Sequence, residues 1–348
     1  MLSRTASVGF SAIMGIDMAT TQDFVNWVCG PNLRPEYLLY VFRSMQPEFR
    51  RLTMGSTHQT IYMPDVGTFS TPIPTIHEQD KIVEFVRSHV RRIDALIRKK
   101  ERLIELLQVK RAALITQAVT KGIDPNAPMK ESDVGWLGNI PAQWEIKRLW
   151  HLTPLDRPIM YGIVLPGPNV DDGVPIVKGG DVSSERLRPD KLSRTTVDIE
   201  SRYVRSRLRG GDLVYAIRGS IGDVAVIPNE LEGANLTQDA ARIAFTRAIY
   251  GRWLLQALRS EAIFAQLESG AQGATIRGIN IRDLKRAWIP VPPRPEQQAI
   301  ANFLERETTK IEELMHKIRE AIDHLKELRM TLTFAAVSGK IDVREKAA

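Results

Sequence analysis

The chain has 348 residues, a formal net charge of +7 and 43% hydrophobic residues, a composition typical of a soluble globular protein with two domains. The surplus of Lys and Arg favours a polyanionic partner such as nucleic acid, although a well-solvated surface would give the same balance. Cys29 is the only cysteine, which excludes an intrachain disulfide and favours a reducing, cytoplasmic compartment; the scattered histidines form no metal motif, and no apolar run is long enough to span a membrane.

The first 76 residues alternate short β-like runs with Gly, Pro and Asn turns, and one helix is predicted among them at about residues 34–52. The opening stretch "MLSRTASVGFSAIMG" has a short apolar run behind one Arg, as a targeting peptide would. Because it matches residues 216–245 of the same chain, we predict instead a β-hairpin in the core of a domain.

A long amphipathic helix is predicted at about residues 78–121. Its apolar residues recur at alternating spacings of four and three, the heptad pattern of a coiled coil. At 1.5 Å per residue the helix would be about 66 Å long. Gly122 supplies the left-handed conformation that ends it. The predicted interface positions are Ile93, Ile97, Ile104, Leu107 and Leu114.

Residues 123–135 are polar and rich in Pro and Gly, which predicts a linker. A second mixed α and β segment follows from residue 136 to 292, with a helix at about residues 249–268. The stretch between Trp136 and Ala216 has no counterpart in the first segment. The first domain is therefore expected to lack its first half.

A second long helix, at about residues 295–338, repeats the first. Glu78 in "IHEQDKIVEFVRSH" matches Glu296 in "PRPEQQAIANFLERE", an offset of 218 residues, and Arg111 matches Arg329 at the same offset. Two unrelated helices in a bundle are the alternative, but matching arginines in matching seams favour a duplication. Gly339 ends this helix as Gly122 ends the first. The predicted interface positions are Ile311, Met315, Ile318, Ile322, Leu325 and Leu332.

The repeat continues upstream of both helices at a slightly drifting offset. Residues 21–23 and 237–239 share the sequence Thr-Gln-Asp, and "LLYVFRSMQPEFRRL" matches "LLQALRSEAIFAQL". In this alignment Arg4 pairs with Arg218.

Three phrases, "WLGNIPAQWEIKRL", "IPVPPRPEQQAIANFLERETTKIEEL" and "LLQVKRAALITQAVTKGIDPN", together with the repeat, resemble the specificity subunit of Type I restriction-modification systems over essentially the whole chain. The resemblance implies an α+β fold, in which two mixed α/β target recognition domains are joined by two long helices that form an antiparallel coiled coil with a pseudo-two-fold repeat. The family normally has a complete first recognition domain, and this chain departs from it there. The expected divisions are a partial first recognition domain (1–76), a first spacer helix (77–122), a linker (123–135), a complete second recognition domain (136–292), a second spacer helix (293–340) and a tail (341–348).

The resemblance also implies the partners. These are double-stranded DNA with a bipartite target, two modification subunits that methylate adenine with S-adenosylmethionine, and restriction subunits that use ATP and Mg. No cofactor, metal or membrane is expected to bind this chain itself.

The sequence contains no catalytic motif of its own. The nearest stretch to a methyltransferase loop, "VPPR" at residues 291–294, lacks both the required acid or amide and the aromatic residue. "VDDGVPIVKGGD" offers Asp171, Asp172 and Lys178 for a nuclease, but Ile176 stands where the last acid should be. Since a Gly-x-x-x-x-Gly-Lys phosphate loop is also missing, we expect catalysis to reside on partner subunits.

Turns with exposed donors are the best candidates for DNA contact in the second domain. Arg218 beside Ser220 suits guanine or a phosphate, Gln238 suits adenine, and Lys178 precedes two glycines that let a phosphate approach. Ordinary surface residues, and a structural Thr-Gln-Asp turn, are the alternatives. The full set is Lys178, Gly179, Arg218, Ser220, Thr237, Gln238, Arg277, Asn280 and Arg282, with Arg4, Thr5, Thr21, Gln22, His58 and Gln59 as first-domain equivalents.

Two other functions compete with DNA recognition. The partial first domain fits a truncated remnant or an inhibitory subunit that sequesters modification subunits, and the seams alone fit a coiled-coil adaptor unrelated to DNA. Salt-dependent DNA binding would separate the adaptor from the other two. The target sequence depends on loop geometry, which sequence patterns do not determine.

Overall fold

The computed structural model describes residues 1–5, 7–53, 60–269 (without the side chain of Ser269) and 278–343, and it divides the chain into two compact units. Unit 1 consists of Met1–Leu106 and Glu313–Ala348, and unit 2 of Leu107–Glu312. No helix in the described ranges is long and apolar enough to cross a membrane.

The described elements of unit 1 surround a small aromatic core. Leu2 pairs with Val25 in a short antiparallel ladder and is buried with Phe42, Phe49 and Ile61. In chain order the elements that begin in this unit are β1 (Leu2–Ser3), β2 (Phe24–Val25), α1 (Pro35–Ser44), α2 (Gln46–Leu52), α3 (Met63–Val66) and the long helix α4 (Ile76–Lys121).

Unit 2 is a set of small sheets covered by short helices. Its strands are β3 (Met129–Glu131), β4 (Asn139–Pro141), β5 (Glu145–Arg148), β6 (Met160–Tyr161), β7 (Val174–Val177), β8 (Ser193–Thr195), β9 (Leu213–Ala216), β10 (Val224–Val226), β11 (Asn235–Leu236), β12 (Ala240–Ile243) and β13 (Trp288–Val291). Its helices are α5 (Val197–Ser201), α6 (Gly251–Arg259), α7 (Glu261–Ser269), α8 (Ile281–Arg286) and the start of the long helix α9 (Arg294–Val337).

The central sheet of unit 2 has the strand order β10-β9-β12-β6, with antiparallel pairing throughout. Successive side chains of β9 point to opposite faces, so that Leu213 and Tyr215 join one hydrophobic core while Val214 and Ala216 join another. Both faces of this strand are therefore buried, which explains its uninterrupted apolar sequence. Strand β9 ends at the turn that carries Arg218, one of the predicted DNA-contact residues.

The prediction of a single helix at residues 34–52 and at residues 249–268 is wrong, because each of these stretches forms two helices. In unit 1, α1 ends at Met45, since Pro47 in the first turn of α2 cannot continue the hydrogen-bond ladder of a helix. In unit 2, Ser260 is extended, with φ −71° and ψ 142°, and its hydroxyl accepts a hydrogen bond from the N–H of Ile263 at 3.4 Å. Ser260 thus ends α6 and caps α7.

The predicted linker at residues 123–135 is partly structured. Strand β3 lies within it and pairs antiparallel with β4, so that Met129 faces Pro141. Lys121, the last residue of α4, donates hydrogen bonds to the carbonyl oxygens of Leu137 and Asn139. The hairpin is thereby attached to the end of the helix.

The long helices begin and end within two residues of the predicted positions. Gly122 and Gly339 follow them with φ of 78° and 70°, as predicted for left-handed caps. Most of the predicted interface positions are buried, namely Ile93, Ile97, Leu107, Ile311, Met315, Ile318 and Ile322. The others, which are partly buried, are Ile104, Leu114, Leu325 and Leu332.

In unit 1 the long helices run antiparallel. The Asp94 carboxylate accepts a hydrogen bond from the Arg329 guanidinium at 2.6 Å, and Val86 shares a core with Val337. Residues nearer the N-terminus of α4 therefore lie beside residues nearer the C-terminus of α9.

The same holds in unit 2. Arg111 and Glu312 form an ion pair at 2.9 Å, and Val119, farther along α4, shares a core with Leu304, farther back on α9. Arg111 and Glu312 are the residues 218 positions from Arg329 and Asp94, so the two ion pairs are related by the repeat. The predicted α+β fold with two long antiparallel helices is confirmed, and the contacts of one unit are repeated in the other.

A buried glutamine near the start of each long helix repeats a whole set of contacts. In unit 1 Gln79 accepts from the N–H of Arg34 (2.8 Å) and donates to the carbonyl oxygens of Asn32 (2.9 Å) and Pro74 (2.8 Å). In unit 2 Gln297 accepts from the N–H of Tyr250 (2.7 Å) and donates to the carbonyl oxygens of Ala248 (3.4 Å) and Pro292 (2.9 Å). Each glutamine connects a helix start to the loop before the neighbouring short helix.

Candidate nucleic-acid interface

The turn between β9 and β10 presents Arg218 and Ser220 to solvent. The N–H of Ala216 donates to the carbonyl of Asp223 at 2.8 Å and closes the turn. Gly222 has φ 92°, and the Phe264 ring lies so close that a β-carbon at this position would clash with it. The turn therefore depends on glycine, and both polar side chains on it are exposed.

Four stretches that are far apart in the sequence meet at this turn. The N–H of Arg218 donates to the carbonyl of Asp239 at 3.0 Å, which brings in the Thr-Gln-Asp segment. Gly179 packs directly against the carbonyl of Arg218, and the N–H of Ile279 donates to the carbonyl of Ile217 at 2.9 Å. The predicted turns near residues 178, 218, 237 and 280 are therefore neighbours.

Exposed cations surround this junction. Lys178, Arg218 and Arg282 are all exposed, and the Lys178 ammonium donates to the Ser193 hydroxyl at 2.8 Å. Arg186, which the sequence interpretation missed, is also exposed and donates to the carbonyl of Gly180 at 2.6 Å. Its position on a loop after the Gly-Gly turn was the available signal.

Three of the predicted contact residues hold the protein together instead. Thr237 is only 3% exposed, and its hydroxyl donates to the Asp239 carboxylate at 3.3 Å. Gly179 is buried against the carbonyl of Arg218, where a β-carbon would clash with that oxygen. The Asn280 side chain accepts from the N–H of Arg282 at 2.8 Å and caps α8. Gln238 is partly exposed.

The predicted alignment of Arg4 with Arg218 is displaced by one residue. The N–H of Ser3 donates to the carbonyl of Phe10 at 2.8 Å, as that of Ala216 does to Asp223, so that Thr5 is the counterpart of Arg218. Arg4 turns inward and donates from Nε to the carbonyl of Gln22 at 2.8 Å.

The other first-domain candidates have mixed placements. Thr21 donates to the Asp23 carboxylate at 3.0 Å, the same bond that Thr237 makes, which favours the structural alternative for the shared Thr-Gln-Asp turn. Thr5 forms a β-bridge with Thr60, and Gln22 is exposed. Three further candidates lie outside the described residues: His58, Gln59 and Arg277.

Sequence reasoning also missed buried charges elsewhere in unit 2. The Glu200 carboxylate is 1% exposed and accepts two hydrogen bonds from Arg207, at 2.7 and 2.6 Å, and one from Asn235 at 3.0 Å. The bonds from Arg207 hold the pKa of Glu200 below its usual value. Arg242 is buried too, and its guanidinium donates to the carbonyl oxygens of Arg205, Arg207 and Pro158. Sequence patterns give no sign of such burial, because isolated charges are normally expected at the surface.

Residues 1–106 and 168–324 match the model of the Type I restriction modification DNA specificity domain, which covers well over half of the chain. The chain belongs to this specificity family. The predicted family resemblance is thereby confirmed.

The relatives of this chain include specificity subunits of type I restriction enzymes. The chain is 24% identical to the EcoBI specificity subunit of Escherichia coli over 281 residues, which is 79% of this chain and 59% of that protein. It is 25% identical to the putative MjaX specificity subunit of Methanocaldococcus jannaschii, over 90% of this chain and 69% of that one. The chain thus spans less than two thirds of the E. coli relative.

Solved structures give the same fold. A chain from a study of complex assembly and conformational transition in a type I R-M system matches with a TM-score of 0.67 and 20% identity, over 88% of this chain and 72% of that one. The HsdS subunit from Thermoanaerobacter tengcongensis matches with a TM-score of 0.53 and 20% identity, over 89% and 71%.

Proposed function

We propose that this specificity-family chain is the DNA-recognition subunit of a Type I restriction-modification complex. It reads a bipartite site and directs adenine methylation and restriction by its partner subunits. The observation that carries the proposal is the meeting of four loops in unit 2, on which the exposed side chains of Lys178, Arg186, Arg218, Ser220 and Arg282 lie.

The geometry of the turn suits base reading. The backbone that carries the Arg218 side chain is fixed by hydrogen bonds, because the N–H of Arg218 donates to the carbonyl of Asp239 and the N–H of Ile221 donates to that of Gly219. The guanidinium fork therefore starts from a rigid base. Such a fork can donate to O6 and N7 of guanine in the major groove. Lysines and the remaining arginines suit phosphates, which position the protein without reading sequence.

The duplicated architecture supports a bipartite target, since two related units offer two reading surfaces. The chemistry is assigned to partners: modification subunits supplied with S-adenosylmethionine, and restriction subunits that use ATP and Mg. In this proposal the chain itself contributes binding and orientation.

The proposal predicts that the purified chain binds a labelled random-sequence duplex with steep salt dependence. Each phosphate contact by Lys or Arg releases counterions, so the logarithm of the binding constant should fall linearly with the logarithm of salt, by about 0.9 per contact. Fluorescence anisotropy over a salt series measures the slope. An affinity independent of salt would contradict DNA recognition and favour the adaptor alternative.

Long-read mapping of methylated adenine, in cells that contain the partner subunits with and without this chain, tests the assignment to methylation. The expected result is a bipartite motif that is methylated only when the chain is present. An unchanged methylation map would support the remnant alternative instead.

A further inference from the structure

A second arginine lies directly behind the Arg218 turn. The carbonyl of Asp223 faces β9, where it accepts from Ala216, so by strand alternation the carbonyl of Val224 faces away from the sheet. Because β10 is the edge strand, this outward carbonyl has no partner in the ladder. Arg259, the last residue of α6, donates to it from Nε at 3.1 Å and from Nη2 at 2.8 Å.

The surroundings of Arg259 contain charges from three elements. Arg259 is exposed as a residue, but the atoms packed around its guanidinium lower its pKa by desolvation; Arg111 on α4 lowers it further, whereas Asp223 and Glu312 act in the opposite direction. The Arg259 guanidinium is thus close enough to feel the charges of the Arg111–Glu312 ion pair, and it also binds the edge strand β10 of the β9–β10 hairpin.

The repeat offers an internal comparison. Arg43 occupies the matching place in unit 1, within the shared Arg-Ser sequence, and Ser11 matches Val224 because it bridges Leu2 as Val224 pairs with Tyr215. Arg43 lies over the Tyr40 ring at 6.0 Å instead, beside a cavity of about 480 Å³. The contact of Arg259 with the Val224 carbonyl, here called the clamp, is therefore specific to unit 2 and not a general result of the fold.

We propose that Arg259 is a positioning residue for DNA recognition by unit 2: by binding the Val224 carbonyl, it fixes the turn that carries Arg218 and Ser220. This inference rests on the proposed function, since it names a residue that acts through the same interface. Phe264 packs on Gly222 from the adjoining helix and completes the support.

The test compares Arg259→Gln with Arg259→Lys, each alone and combined with Arg218→Ala. If Arg259 acts through the turn, Arg259→Gln should weaken duplex binding about tenfold, the size expected for loss of a charge-assisted hydrogen bond. It should have no further effect once Arg218 is alanine, because nonadditivity identifies residues that act together. Lysine, which retains one donor toward the carbonyl, should give an intermediate loss.

The control is Arg252→Gln, which removes an exposed arginine of the same helix that pairs with Glu305. It should leave binding within about twofold of the wild type, as expected for a surface substitution. Equal losses for Arg259→Gln in both Arg218 backgrounds, or no loss at all, would overturn the inference.

Amide hydrogen exchange tests the effect of Arg259 on the turn without requiring DNA binding. Residues 217–223 should exchange about tenfold faster in Arg259→Gln, while the central strands keep their protection. Unchanged exchange in this turn would overturn the positioning role even if DNA binding fell. A wild-type chain that binds no DNA but shows the faster exchange would refute the proposed function and leave the clamp intact.

Discussion

At the scale of single residues, the candidate interface separates side chains that face solvent from those that hold loops. Arg218 and Ser220 are exposed on a turn fixed at both ends, whereas the Thr237 hydroxyl is already bonded to Asp239. Substitutions at Arg218 should therefore change recognition, and those at Thr237 should change stability.

Arg218→Ala distinguishes base reading from phosphate binding. If Arg218 contacts a base, the variant should lose about 1–3 kcal/mol of discrimination between the preferred duplex and one changed at that base. If it contacts a phosphate, all duplexes should weaken equally and the salt slope should fall by about one. Competition binding measures both. Arg202→Ala, at another exposed arginine of unit 2, is the control, and a variant equal to wild type would remove Arg218 from the interface.

The Glu200 cluster predicts a pH-dependent stability. Because Arg207 lowers the folded-state pKa of Glu200 below 4.5, the ionised carboxylate contributes stability at neutral pH that is lost as pH falls through that lower value. Glu200→Gln should lower the free energy of unfolding by about 1–3 kcal/mol at pH 7. The difference from wild type should shrink as the pH is lowered further below the usual pKa of a glutamate, measured by denaturant unfolding over a pH series. A difference that is constant with pH, or equal to that of the exposed Asp198→Asn, would contradict this role.

Sequence reasoning found the loops of the interface but not the state of each side chain. Glycine and Asn turns gave the positions of residues 178, 218 and 280, because backbone conformation depends on local residue type. Whether Asn280 caps a helix or faces a ligand depends on neighbours brought in by the fold, as does the burial of Glu200 and Arg242. The only sequence signal at Arg259 was its match to Arg43 in the repeat. That match does not reveal a role, because the role depends on the contact with the Val224 carbonyl.

At the scale of elements, the long helices were the most predictable part. Their heptads run for many residues and end at glycines, so pattern and caps agree. The short strands were not predictable, since two- to four-residue ladders such as β6 and β11 are fixed by their partners. The breaks at Met45 and Ser260 had local signals in Pro47 and in the serine itself.

The ion pairs between the long helices predict a charge-swap effect. Arg329→Asp should place a carboxylate against Asp94 and destabilise unit 1 by about 1 kcal/mol at low salt, while the double variant with Asp94→Arg should recover. Denaturant unfolding at low and high salt measures this, because exposed pairs are screened. The matching swap of Arg111 and Glu312 should behave alike in unit 2. Failure of both double variants to recover would show that these pairs do not specify the helix register.

At the scale of the whole molecule, the helices predict a relation between their length and the DNA target. Asp94 and Arg111 are separated by the same number of residues as Glu312 and Arg329 on the opposing helix. Removing one heptad, 98–104, from α4 and the opposing 319–325 from α9 keeps both ion pairs and the seam register. Each helix shortens by about 10 Å.

If the helices set the spacing between half-sites, the methylated motif should keep its half-sites and lose about three unread base pairs. Long-read methylation mapping gives the result directly. A deletion in α4 alone is the control, since it offsets the opposing seams and should abolish folding. An unchanged gap in a folded double-deletion protein would rule out the spacer role.

The division of the chain into two units also predicts the order in which they fold during synthesis. Unit 2 is continuous in sequence, from Leu107 to Glu312, whereas unit 1 is completed only by the end of α9, as the hydrogen bond from the Tyr37 hydroxyl to the carbonyl of Val337, 300 residues away, shows. On the ribosome, Phe85 and Val86 must therefore remain uncovered until Ala336 and Val337, at the end of α9, have been made. We therefore expect unit 2 to fold before unit 1, and the nascent part of unit 1 that precedes unit 2 to be the segment most exposed to aggregation and most dependent on chaperones.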